Sequence, residues 1–126
     1  MADPEEINEW LKKAEEDWRV VELLLTSGEE LTLPCMFHLQ QALEKLLKAV
    51  ILEKGCRIDR THDLSRLAQI ACAHDIVGLL DLCEALTLFA VNGRYPGDLP
   101  EVSRSQARHY FDIAKGIRET LLQRII

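Results

Sequence analysis

At 126 residues, with 15 Lys and Arg against 21 Asp and Glu, the chain has the length of one domain and a formal net charge of −6, a size that holds one core and a sign that excludes a surface dedicated throughout to nucleic acid. The charge is unevenly spread. Residues 1–31 carry ten acids and three bases, a balance of −7, and the remainder carries eleven acids and twelve bases, a balance of +1, so any anion site is expected beyond the first helix. Four cysteines (Cys35, Cys56, Cys72, Cys83) without CxxC spacing, and an N-terminus with neither a basic nor an apolar leader segment, fit reduced thiols in a cytoplasmic protein. No apolar run approaches a membrane span.

In chain order, Asp3, Pro4 and Glu6 read as N-cap, first helical residue and capping-box partner. Ile7, Trp10, Leu11, Ala14, Trp18 and Val21 then recur at helical spacing until Ser27-Gly28. Pro34 and Gly55 bracket a second helix, with Phe37, Leu43, Leu46, Leu47, Val50 and Ile51 on an apolar face and Glu44, Lys45 and Lys48 on a polar one. The pair Glu44 and Lys48 reads as surface decoration, and Lys45 and Lys48 as candidate phosphate contacts. The turn "CRIDRTHD" supplies Arg57 and Arg60 and leads, through a cap at Thr61, into a short helix; His62 and Asp63 read as part of that cap. Asp75 is the expected cap of a fourth helix, "IVGLLDLCEALTLFAVN", apolar around most of its circumference and therefore expected as the central helix or a dimer seam. After "GRYPGD", Ser103 and Gln106 form a capping box for a fifth helix facing inward through Ala107, Tyr110, Phe111, Ala114, Ile117 and Leu121. No segment alternates with period two. The expectation is an all-α, antiparallel up-and-down bundle of four or five helices in one domain, 1–126.

The residues that carry chemistry are cations. Arg104, Arg108 and His109 open the fifth helix, where the helix dipole also favours an anion. Arg104 and His109 lie about 140° apart around the helix at ~100° per residue. Metal-independent RNA cleavage needs a base near neutrality for the 2′-hydroxyl and a fixed cation for the phosphorane, roles suited to His109 and Arg104. The same stripe also reads as a solvated face balanced by Asp112 and Glu119. Arg94 and Tyr95 of the "GRYPGD" turn either line a nucleotide or RNA groove or cap and pack over the bundle end. Cys72 and His74 lack a second ligand pair, so no metal site is expected, and no cofactor loop is present.

Taken together, "WLKKAEEDW", "HLQQALEKLLKAVILEKG", "THDLSRLA" and "LFAVNGRYPGD" make the chain resemble the HEPN family over roughly Glu9 to Arg118. These are small helical proteins of bacteria and archaea, often encoded beside a minimal nucleotidyltransferase. The resemblance implies a HEPN-like four- or five-helix bundle that forms a homodimer. It also implies one of two activities: a metal-independent ribonuclease toxin, neutralised by the nucleotidyltransferase as antitoxin, or a non-catalytic nucleotide-, RNA- or protein-binding module. The ribonuclease members carry Arg, four to six residues, then His. Arg104 and His109 meet that spacing in "RSQARH" with Ser105 following the arginine, whereas Phe111 stands where an aromatic hydroxyl is usual and Tyr110 comes one position early.

Overall fold

The structure, a computed structural model, describes residues 3–90 and 100–125. Within them five helices follow in chain order: α1 (Pro4–Thr26), α2 (Thr32–Glu53), α3 (Leu64–Ile70), α4 (Leu79–Thr87) and α5 (Arg104–Gln123). The described residues contain no strand.

Asp3 starts α1 by accepting a hydrogen bond from the Glu5 N–H at 3.0 Å, and Gly28, at φ 82°, reverses the chain after it. The helix buries Ile7, Ala14, Trp18 and Val21, a stripe spaced by sevens, fours and threes, and this stripe lies along α2. That second helix is the centre of the bundle. Thirteen of its 22 residues are buried, and α1, α3, α4 and α5 all pack on it. The expectation that α4 fills this role is corrected: α4 spans only nine residues, buries Leu79, Leu82, Cys83 and Leu86, and leaves Leu80 and the following Leu88 in solvent.

Two caps also fall elsewhere than expected. Asp63, not Thr61, caps α3, accepting from the N–H groups of Ser65 and Arg66. Gly78, at φ 83°, precedes α4, while Asp75 pairs with Arg124 at the end of α5. The Ser103–Gln106 capping box forms as expected, with both reciprocal hydrogen bonds present. From there α5 runs antiparallel to α1. Its start meets the α1–α2 turn through Arg104 Nη1 and the Gly28 carbonyl at 3.3 Å. Its middle meets α1 through Arg118 and Glu15, and through the stacked rings of Phe111 and Trp18, 4.7 Å between centroids. All four cysteines are free, and no described helix is long and apolar enough to cross a membrane.

Candidate functional site

The first two turns of α5 present Arg104, Arg108 and His109, all exposed. The capping box holds this end rigid: Ser103 Oγ accepts the Gln106 N–H at 3.1 Å, and Gln106 Oε1 accepts the Ser103 N–H at 2.9 Å. Because the cap already occupies part of the helix end, recognition of an anion falls mainly to the side chains. Arg108 places its guanidinium 5.9 Å from the Phe111 ring centre, which stiffens a long side chain against a buried anchor. His109 touches Tyr110 at a centroid separation of 6.0 Å. Neither Arg108 nor His109 is ion-paired among the described residues. Arg104 turns toward the Gly28 carbonyl, and no hydrogen bond joins it to His109, in keeping with their positions about 140° apart on the helix.

The lysines of α2 have a different fate. Lys48 donates to Glu44 Oε2 at 3.0 Å, and Glu44 is only 3% exposed and Lys48 7%. The expected solvated face is therefore an interior ion pair, with Lys48 also 5.3 Å from the centre of the Trp10 ring. Lys45 donates to Asp17 Oδ2, and the other oxygen of Asp17 meets His38 Nδ1 at 2.8 Å. Both lysines are thus committed to holding α1 against α2. Sequence spacing showed the Glu44–Lys48 pair but neither its burial nor the partners Asp17 and His62, which come from other segments.

His62, expected in the cap of α3, has a different partner. His62 does not cap α3; its Nδ1 lies 2.9 Å from Oε1 of the buried Glu44, whose carboxylate also accepts from Gln40 at 3.0 Å. Because a carboxylate only accepts, Nδ1 donates in this contact. Burial pushes the Glu44 carboxyl up, but the hydrogen bonds from Gln40, His62 and Lys48 and the Lys48 charge outweigh burial and hold it below the usual glutamate range. Arg57 and Arg60, in the same connection, are exposed. Asp59 between them is taken by Arg66 at 2.9 Å. The candidate cations thus fall into three groups: Arg104, Arg108 and His109 on α5, Arg57 and Arg60 before α3, and the ion-paired Lys45 and Lys48 on α2. Arg94 and Tyr95 lie outside the described residues. No cluster of three or more His, Cys, Asp or Glu able to hold a metal occurs among the described residues.

This helical order, a long α1–α2 hairpin with two short helices and a closing α5, defines a small helical-bundle class, and comparison places it further. The model of the HEPN domain matches residues 7–125; the chain belongs to the HEPN family. An archaeal HEPN homologue, ST0689, is similar in structure with a TM-score of 0.75 at 21% identity, covering 95% of this chain and 98% of its own. TT1696 from Thermus thermophilus is similar at a TM-score of 0.72 and 23% identity, over 94% and 97% of the two chains. At these identities the likeness concerns the fold. No curated protein matches the chain.

Proposed function

We propose that this chain binds the phosphates of RNA or of a nucleotide through the start of α5 and that, as a homodimer in the cytoplasm, it is a metal-independent ribonuclease. In this reading it is the toxin of a pair whose antitoxin is a minimal nucleotidyltransferase. The observation that carries the proposal is the exposure of Arg104, Arg108 and His109 on the first two turns of α5, with no carboxylate paired to Arg108 or His109 among the described residues. A cation neutralised by a neighbouring acid gains little from a phosphate; an unpaired one on a rigid helix gains the full charge-assisted hydrogen bond. His109 takes the 2′-hydroxyl proton and Arg104 stabilises the charge on the phosphorane. With the two about 140° apart on one helix, a shared phosphate is reached either by the long Arg104 side chain swinging across or by a second protomer supplying one of the pair. The apolar residues that α4 and its approach leave exposed, Leu80, Leu88 and Val77, support such pairing.

A second reading, a non-catalytic nucleotide- or partner-binding module, is favoured by the engagement of Arg104 with the Gly28 carbonyl. One experiment separates the two. Purified protein is incubated in EDTA with end-labelled single-stranded RNA, beside His109→Ala and Arg104→Ala. Cleavage by the parent, and its loss on the order of a hundredfold or more in His109→Ala, is expected for general-base catalysis. Equal cleavage by both contradicts His109 as the base, and none by either with RNA still bound leaves the binding module.

A further inference from the structure

Three small residues on three different helices, Ala14 on α1, Ala42 on α2 and Ala114 on α5, converge on one space that none of them fills. The result is a cavity of about 330 Å³, within the range of small-molecule sites. Its walls are aliphatic, apart from the Trp18 ring, and its polar groups are confined to Lys12, Glu15 and Arg118. Arg118 pairs with Glu15 and lies 4.9 Å from the centre of the Trp18 ring, while Lys12 is exposed and has no ion-pair partner among the described residues. Two cations against one carboxylate leave the rim with one positive charge over an apolar interior. That combination selects a molecule with a hydrocarbon body and a single negative end.

We propose that the cavity between α1, α2 and α5 is a binding site for a small aliphatic carboxylate, its chain against Ala42 and Trp18 and its charged end between Lys12 and Arg118. The charged groups of the lining are confined to its rim, so the interior suits a hydrocarbon chain, and the residues of this site are distinct from those at the start of α5. Trp18 has one contact with Phe111 and another with the Arg118 guanidinium. A ligand that draws Arg118 toward itself changes the surroundings of the indole, so the ring is a built-in reporter.

The test uses the full chain with Trp10→Phe, so that Trp18 is the sole tryptophan, titrated with sodium decanoate below its micelle concentration. A saturable change in Trp18 emission is expected, with a rise in melting temperature from binding to the folded state alone. Decylamine, matched in length but cationic, is expected to bind at least several-fold more weakly. Ala42→Leu fills the cavity and is expected to abolish the emission change while melting as cooperatively as the parent. Lys12→Ala, an exposed change that leaves the interior untouched, is expected to weaken decanoate several-fold. No saturable response to decanoate, equal binding of decylamine, or undiminished binding in Ala42→Leu overturns the proposal. So does a dimer that Ala42→Leu dissociates with decanoate inert, which makes the space a seam between two copies.

Discussion

Glu44 and Lys48 stand four residues apart, a spacing that on a solvated helix is worth a few tenths of a kcal/mol. Inside the bundle the same pair has different energetics. Removing one partner strands the other charge away from water, which costs several kcal/mol, whereas replacing both with apolar groups of similar size removes the desolvation penalty as well. Glu44→Gln is therefore expected to destabilise the protein by about 3 kcal/mol at pH 7 in urea unfolding, and the double replacement Glu44→Leu with Lys48→Met by much less. The folded-state carboxyl of Glu44 is held below its ordinary range. Its stabilising contribution is complete above that range and is lost as the pH falls through the lower folded value. The stability gap between parent and Glu44→Gln is accordingly expected to shrink between pH 5 and pH 3; a gap that widens there contradicts the assignment. None of this was legible in the local sequence. Glu44 is hydrogen-bonded to His62, 18 residues away, and Lys48 lies beside Trp10 of another helix, and helical periodicity carries no information about either.

At the scale of the element, what could be read was what is decided within one turn. Ser103 and Gln106 satisfy each other's backbone groups across three residues, so the pattern alone specifies the start of α5. The same holds for Asp3 at the start of α1. Local pattern does not decide the start of a helix where two polar residues compete for one cap. Thr61 and Asp63 are both competent, and Asp63 captures the first free N–H groups of α3 while Thr61 Oγ1 accepts from Asp63 itself at 3.1 Å. Asp75 is drawn off by Arg124 at 3.1 Å, a partner at the far end of the chain. The apolar girdle of α4 misled for a related reason, since hydrophobicity around a helix states a demand for cover without stating where the cover comes from. The capping box is testable in isolation. Ser103→Ala is expected to cost about 1 kcal/mol, seen as a fall in melting temperature of roughly 3–6 °C. An unchanged melting temperature contradicts the role given to the cap.

Over the whole molecule, acidity and anion binding are reconciled by placement. The excess acid sits in the first 31 residues, and exposed arginines stand on the first turns of α5 and in the connection before α3. The membership of the HEPN family was legible because "WLKKAEEDW" and most of "HLQQALEKLLKAVILEKG" sit on α1 and α2, helices whose order the sequence also revealed. The convergence of the candidate residues was not, since Lys45 and Lys48 are taken by Asp17 and Glu44 and Arg94 and Tyr95 lie outside the described residues. Phosphate binding by the start of α5 is the central claim, and its most direct measurement is the anisotropy of a labelled single-stranded RNA titrated with the protein across a series of salt concentrations. Arg104→Ala with Arg108→Ala is expected to weaken binding on the order of tenfold and to flatten the dependence of log affinity on log salt by about 0.7 for each phosphate no longer neutralised. An affinity and a salt slope equal to those of the parent would contradict it.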